Sequence, residues 1–509
     1  MRARLVGSLA LIALVFGGAA PVVAQDRAGL TADLDNILSA PALAGADVGL
    51  VVRTADGQTV YSRDAGRRQQ PASNAKLVTS ATALDVLGPD YRFATTVHTT
   101  GERRGHVQNG DLYLRGTGDP TMLAADYDAL AKQVADQGVR FVTGKLVADD
   151  TWFDGVRLGA SWAWDDEPYY YNAQVSALTA APDTDYDAGS IIVRVEPGAN
   201  GKAKVTTQPP TDYVTIANTA VTGPAGSANT ISVDRVHGAN TFTVTGSIPA
   251  GGAATNEFMA VWEPTGYAAA LFRAALTRYG VGVAGPTTRG AVPAVNATVA
   301  TRQSMPLREL LVPFLKLSNN LHAEILVKAM GRATKNQGTW SAGEAAVASR
   351  LSAYGIDPAR LSLLDGSGLS RMDQISPDQL ASLLGAARNR PWFSEWYEAL
   401  PIAGKSDRLV GGTLRSRMHG TAAEGRVHAK TGSLTGVSSL SGYVTTADGQ
   451  LWVFSLVTNN AIGVNLKAME DTVAIRLAQE GSAAARTATN VPDLTGSTSD
   501  VECSWLKAC

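Results

Sequence analysis

Three short runs of residues hold the chemistry this sequence has to offer. The first is Ser73-Asn74-Ala75-Lys76. Leu77, Ala81, Leu84 and Leu87 follow at helical spacing until Gly88-Pro89, which predicts a helix with Ser73 at its start and Lys76 one turn on, on the same face. A serine there feels the positive end of the helix, which favours a developing alkoxide. A neutral lysine one turn away can take its proton. An ordinary lysine titrates near 10.4, so service as a base near pH 7 requires a fall of about 3, or about 4 kcal/mol; a second ammonium and exclusion of water would supply it. The second run, Ser318-Asn319-Asn320, falls at the break between two helices, where a hydroxyl can relay protons and a carboxamide can hold a substrate amide. The third, Lys430-Thr431-Gly432, lies in a strand-like run from Arg426 to Ser433. A cation and a hydroxyl beside a glycine, which leaves the strand open to approach, suit an extended peptide ending in a carboxylate.

None of the three is specific alone. Ser504 to Lys507 is a second Ser-x-x-Lys, and Ser227-Ala228-Asn229 a second Ser-x-Asn in a turn-rich stretch. An N-cap serine, a Ser/Asn turn and an exposed strand lysine are the ordinary readings of such runs. Order and setting distinguish the set: helix start, interhelical turn, strand, separated by 318 − 73 = 245 and 430 − 318 = 112 residues.

The elements that must bring them together come from distant parts of the chain. Leu30, Leu34, Ile37 and Leu38 recur at helical spacing; Val48 to Arg53 and Thr59 to Ser62 read as strands around the turn Ala55-Asp56-Gly57. Ser438 to Thr446 and Leu451 to Val457 repeat that design around Ala447-Asp448-Gly449, and Thr-Ala-Asp-Gly-Gln recurs at 54–58 and 446–450 as shared turn chemistry. A helix with Leu466, Met469, Val473 and Leu477 on one face follows. Strands at both ends, flanked by helices, predict one α+β domain whose sheet draws on both termini. Residues 96–300 have a different texture: strand-like runs (Ser190 to Val195, Ile231 to Val236, Thr241 to Thr245) between Gly/Pro/Ala turns, with one helix from about Thr265 to Tyr279. They read as one or two inserted, mainly β domains. Helices return from Pro306 to Lys316 and from Leu321 to Met330, the latter expected to close at Gly331, and Ser376-Pro377-Asp378-Gln379 is a strong helix start.

The 509 residues exceed one ordinary domain, and 45% hydrophobic content can bury large cores. Against 44 Lys+Arg stand 46 Asp+Glu, and a net charge of −2 gives no global pull towards nucleic acid or anionic lipid. Residues 1–24 read as a secretory signal peptide: Arg2 and Arg4, an apolar run from Leu5 to Phe16, and Val22-Val23-Ala24 before Gln25. The run is short for a membrane span, so a secreted or extracytoplasmic protein, without a transmembrane anchor after cleavage, is expected. Cys503 and Cys509 close the sequence and read as a small disulfide loop in a mobile tail over 489–509. With no His-Glu-x-x-His, no Cys-x-x-Cys and no Gly-x-Ser-x-Gly, neither metal nor cofactor is expected, and a Ser-His-Asp hydrolase is unsupported. His428, two residues before Lys430, reads as a strand residue.

The ordered set Ser-x-x-Lys, Ser-x-Asn, Lys-Thr-Gly is the signature of β-lactamases and penicillin-binding proteins, and its first gap is far too long for a class A β-lactamase. With Arg115 to Thr121, Tyr169 to Thr179 and Asp365-Gly366-Ser367-Gly368-Leu369-Ser370-Arg371, the chain resembles the low-molecular-mass class C penicillin-binding proteins, serine D-alanyl-D-alanine carboxypeptidases/endopeptidases. The resemblance covers nearly the whole mature chain. It implies a transpeptidase-like domain (25–95 and 300–488) split by two nested, largely β insertions, domain II at 96–185 and 263–299 and domain III at 186–262. Carried over motif by motif, Ser73 is the acylated nucleophile and Lys76 its base. Ser318 and Asn320 shuttle the proton and hold the substrate amide, with Lys430 beside Ser318. Thr431 and Gly432 help to bind the substrate's terminal carboxylate end, and backbone N–H groups of Ser73 and Ser433 form the oxyanion hole. The implied partners are peptidoglycan stem peptides and, as covalent inhibitors, β-lactams. Arg371 and the acidic run Asp165-Asp166-Glu167, Asp166 above all, are expected to meet the charged end of a stem peptide, although an exposed acidic turn is the ordinary reading of such a run. A β-lactamase or esterase of the same superfamily, or a non-catalytic wall-binding scaffold, are the alternatives.

Overall fold

Alternation along Val48 to Arg53 sets the architecture of the half of the molecule built from both ends of the chain. Leu50 and Val52 point to one side, where helices Ala20–Leu38 and Leu466–Ala478 cover them; Val51 points to the other, into a bundle of helices. With both faces buried, strand Asp47–Arg53 can sit inside the sheet rather than at its edge. A computed structural model, describing residues 20–482 and 492–494, gives the sheet five antiparallel strands in the order Thr59–Arg63, Asp47–Arg53, Leu451–Asn459, Val437–Thr445, Val427–Leu434. The sheet therefore joins both ends of the chain, and the strand carrying Lys430 lies at its edge. The bundle packs Ala75–Val86, Leu307–Lys316, Asn320–Lys335, Trp340–Leu351 and Pro377–Ala387 around a core that includes Leu77, Leu311, Phe314, Leu326 and Trp396. The mixed α+β class expected from the sequence is the one observed.

Both repeated pentapeptides form the same hairpin turn. Thr54 N–H donates to the Gln58 carbonyl and Thr446 N–H to that of Gln450, each at 2.9 Å, with Gly57 and Gly449 at φ +88° and +83°. The capping box at Ser376 is also present, Gln379 N–H donating to Ser376 Oγ and Ser376 N–H to Gln379 Oε1. Gly331 behaves differently from expectation. The helix runs through it to Lys335 and ends on Asn336 at φ +56°. A Cβ at Gly331 would lie 2.7 Å from the Gln337 carbonyl and 2.8 Å from Gly343 N, so the glycine admits helix Trp340–Leu351 at close range.

The expected insertion, 96–299, is bracketed by two strands that pair with each other. Strand Ala94–Thr99 pairs with Ala297–Gln303, so its first and last strands close its neck. These two join Leu112–Gly116, Leu146–Asp149 and Thr287–Arg289 in one sheet. Residues 186–262 form smaller sheets built on Ser190–Glu196 and Thr241–Thr245, yet Ile191, Phe242 and Ile248 share one buried cluster with Val97, Leu112 and Leu146. The two inserted parts thus have separate sheets and a common core. Helix Ala20–Leu38 runs across the expected cleavage point after Ala24; residues 1–19, most of the tail, and Cys503 and Cys509 lie outside the described residues. Among the described residues no helix is long and apolar enough to cross a membrane.

Candidate active site

The chain enters the Ser73 segment through a strained residue. Ala72 has φ +47°, a region that costs a side chain about 1–3 kcal/mol and persists only where the surroundings enforce it. Here Gly368, itself at φ +85°, packs so close to the Ala72 carbonyl that no Cβ would fit. Ser73 sits in one 3-10 turn, Ala72–Asn74, that leads directly into helix Ala75–Val86, so the helical run starts one short turn earlier than a regular α-helix would. Lys76 comes back beneath Ser73. Its Nζ lies 2.8 Å from Ser73 Oγ and donates to Asn320 Oδ1 (2.6 Å) and the Ser367 carbonyl (2.9 Å), with the side chain fully buried.

A second left-handed residue, Ser318 at φ +58°, turns the chain from helix Leu307–Lys316 into helix Asn320–Lys335. Asn319 caps the new helix, its Oδ1 accepting from His322 N–H at 3.3 Å, which leaves Asn320 in the first turn facing Lys76. Asn320 Nδ2 donates to the Tyr171 carbonyl (2.7 Å), and Asn319 Nδ2 and His322 Nε2 both approach the Tyr186 carbonyl, at 3.1 and 2.9 Å. The inserted region therefore grips the interhelical turn directly. Burial pushes the His322 imidazole down to about 4.

On the edge strand Val427–Leu434, Lys430 Nζ donates to Ser318 Oγ and to the Thr431 carbonyl, both at 2.8 Å, and Thr431 Oγ1 to Thr413 Oγ1 at 2.8 Å. Asn74 Nδ2 ties this strand to the Ser73 turn through the Lys430 carbonyl (3.1 Å) and Ser439 Oγ (2.7 Å). Gly432 is required for that approach, since a Cβ there would lie 2.9 Å from Ser73 N. Ser433 follows, paired with Ser438 across the hairpin. Ser73, Lys76, Ser318, Asn320, Lys430, Thr431, Gly432 and Ser433 thus meet at one cleft between sheet edge and helix bundle.

Asp166 and Arg371 approach the same cleft from its rim. Tyr171 OH donates to Asp166 Oδ1 (2.9 Å), and Arg371 donates to the Thr435 carbonyl in the hairpin after Ser433 (3.2 Å). Burial raises Asp166, Asp165 adds to the rise, and the Arg371 charge opposes it. The acidic run is not one exposed turn: Glu167 is buried and pairs with the buried Arg235. Asp183, Asp185 and Asp187 bring carboxylate oxygens within 4.8 Å of one another, a donor set for a cation, but Arg408 already reaches Asp185 (2.6 Å) and Asn319 donates to Asp187 (3.0 Å). His428 stacks on Tyr397 with centroids 4.1 Å apart, a packing role. Asn74, Ser367, Thr413 and Ser439 escaped the sequence reading. Asn74 filled a variable slot of the first motif, and Ser367 lay in a segment quoted without a role; Thr413 and Ser439 carried no local signal.

Comparisons with known proteins identify the family and the fold. Residues 30–480 match the model of the D-Ala-D-Ala carboxypeptidase 3 (S13) family. The chain is 48% identical to a D-alanyl-D-alanine carboxypeptidase of Actinomadura sp. (strain R39), over all of this chain and 96% of that protein. It is 27% identical to D-alanyl-D-alanine carboxypeptidase DacB of Haemophilus influenzae, over 81% of this chain and 85% of the relative. The crystal structure of penicillin binding protein 4 (dacB) from Haemophilus influenzae matches with a TM-score of 0.75 at 25% identity, covering 88% of this chain and 98% of that one. The chain belongs to the D-Ala-D-Ala carboxypeptidase 3 (S13) family.

Proposed function

We propose that this serine D-Ala-D-Ala carboxypeptidase cleaves peptidoglycan stem peptides through an acyl-enzyme on Ser73, and that β-lactams acylate the same serine. One observation carries the reading. Lys76 Nζ has two fixed acceptors, Asn320 Oδ1 and the Ser367 carbonyl, and the Ser73 hydroxyl as its third neighbour. A neutral amine has two N–H bonds and one lone pair, so this arrangement aims the lone pair at the Ser73 proton. Lys76 takes that proton as Ser73 Oγ attacks the carbonyl of the penultimate D-alanine. Negative charge on the carbonyl oxygen falls to the N–H groups of Ser73 and Ser433; loss of one such donor costs on the order of 10²–10³ in rate. Ser318, hydrogen-bonded to Lys430, gives its hydroxyl proton to the leaving D-alanine nitrogen and takes in its place the proton held by Lys76, and water then hydrolyses the ester and restores the Ser73 hydroxyl.

The edge strand gives the substrate a backbone to lie along, with Lys430 and Thr431 at the place for its terminal carboxylate. Asp166 and Arg371, of opposite charge on the cleft rim, read the far end of a stem peptide that carries both an ammonium and a carboxylate. The domain limits from the sequence fit this reading once the neck is moved to Ala94 and Gln303. The signal-like pattern in the first 24 residues supports an extracytoplasmic location, where peptidoglycan is. Fluorescent penicillin tests the reading. Stable labelling of the wild type and none of Ser73→Ala is expected, with D-alanine released from a stem-peptide mimic. Rapid turnover of the label would make the protein a β-lactamase, and no labelling would leave a scaffold.

A further inference from the structure

Glu324 stands one turn beyond Asn320 on the same helix face and is fully buried. Its carboxylate accepts from Gly366 N–H (3.1 Å), Ser367 N–H (2.8 Å) and Trp340 Nε1–H (2.7 Å). Asp365 acts in parallel, accepting from Gly368 N–H and Ser370 N–H (2.7 Å each) and from Trp162 Nε1–H (2.9 Å). The opposite edges of these peptides meet the nucleophile helix: the Gly366 carbonyl accepts from Thr79 Oγ1 (2.7 Å) and the Ser367 carbonyl from Lys76 Nζ (2.9 Å). Two consecutive peptide planes are thus clamped, each between a carboxylate and the helix of Ser73. Gly366 leaves no slack, since a Cβ there would lie 2.6 Å from Val327 Cγ2.

A buried carboxylate is costly unless its hydrogen bonds are all made. Those of Glu324 go to neutral donors, while the ammonium on its own helix, Lys328, pairs with Asp154 at 2.6 Å. We propose that Glu324 is a positioning residue for Lys76: by holding the Gly366 and Ser367 N–H groups it fixes the backbone up to Ser367, whose carbonyl, in the next peptide with its N–H side held by Asp365, orients the amine towards Ser73 together with Asn320. The inference rests on the acyl-enzyme reading of Ser73. A carboxylate is needed because three N–H groups converge on two oxygens; an amide has one acceptor oxygen and would turn an N–H₂ towards a donor.

The arrangement is sensitive to pH. Burial first, and the charge of Asp365 next, push Glu324 up to about 7, and Asp373 beyond the loop adds a further buried carboxyl. Glu344, on helix Trp340–Leu351, faces Asp365; Lys328 is the ammonium of the surroundings, and the Lys76 amine meets the loop through the Ser367 carbonyl. Protonated, Glu324 presents an O–H to donors, and its grip on the loop weakens.

The experiment is the second-order rate of acylation of the full chain by fluorescent penicillin, followed from about pH 5.5 to about pH 8.5 to expose the essential ionisations of the free enzyme. The wild type should slow as pH falls through about 7. Glu324→Gln should be slower at pH 8 by about 10-fold or more, since misplacing a catalytic group by about 1 Å can cost about 10²-fold, and its acid limb should move, leaving only the protonation of Lys76. Trp340→Phe removes one N–H that favours the charged carboxylate, so its limb should move to higher pH while its plateau rate holds. A Glu324→Gln protein with the wild-type rate or a limb at the wild-type pH overturns the proposal. If that variant does not fold, Trp340→Phe decides alone, and a limb left in place overturns it. Labelling that survives Ser73→Ala would instead overturn the acyl-enzyme reading itself.

Discussion

Adding one methyl group at Gly432 should disable the site without touching any side chain assigned to the chemistry. The Cβ of Gly432→Ala would stand 2.9 Å from Ser73 N and 3.0 Å from the Pro71 carbonyl, with Ser439 Oγ nearer still. Favourable non-bonded contact begins at about 3.5 Å, so the edge strand and the nucleophile turn must part by roughly 0.5 Å or more. None of the three neighbours yields easily. Two are backbone atoms, and Ser439 Oγ is held by its bond to the Pro71 carbonyl (2.7 Å) and by Asn74 Nδ2 (2.7 Å). Overpacking of this kind costs about 1–3 kcal/mol in stability, which a chain with cores of this size survives folded. The larger effect falls on rate, because the Ser73 and Ser433 N–H groups lie on the two sides that separate. Loss of one oxyanion donor costs on the order of 10²–10³. Acylation by fluorescent penicillin should therefore fall by about 100-fold, while the melting temperature drops by only a few degrees. A folded Gly432→Ala protein acylated within about twofold of the wild-type rate would refute both the oxyanion assignment and the close-approach argument for the glycine.

Other perturbations follow from the same structure. His322 is held neutral in the fold at a pKa of about 4. The unfolded chain takes that proton near 6.5, so stability should fall by up to about 3 kcal/mol as pH drops from about 6.5 to about 4. Denaturant titrations across that window should show the slope, and His322→Gln should flatten it. Gly331→Ala should cost about 1–3 kcal/mol through its clash with the Gln337 carbonyl and Gly343 N, with normal acylation of the folded protein. Asp166→Ala and Arg371→Ala should each narrow the preference between diaminopimelate-type and lysine-type stem peptides, read as a ratio of kcat/KM values. An unchanged ratio removes both residues from substrate recognition.

What the sequence disclosed and what it withheld divide along contact range. The helix after Ser73, the hairpins at Gly57 and Gly449 and the capping box at Ser376 are set by residues within a few positions of one another, so local spacing reveals them. The motifs were legible because each sits in the local setting its chemistry needs. Gly331 misled because glycine ends helices and also admits close neighbours, and only the approach of Gly343 distinguishes the two. Glu167 read as part of an acidic surface turn because its partner Arg235 is far along the chain. Glu324 carried no signal, and Asp365 only opened a matching segment without a role: most of their ligands are backbone N–H groups, which every sequence has.

The closing of one sheet by strands from both ends of the chain fixes when activity can begin. Asp47 pairs with Asn459, and Lys430 meets Ser318 from a strand that must dock on Val437–Thr445. During synthesis, Ser73, Lys76 and the whole inserted region emerge well before the cation that completes the cleft. Pairing over such separations is slow, because the closure entropy of a long loop is lost before the contacts repay it. The nucleophile therefore waits, unassembled, until nearly the entire polypeptide is available, and a chain ended before Val427 would carry Ser73 and Lys76 without the strand that completes the cleft.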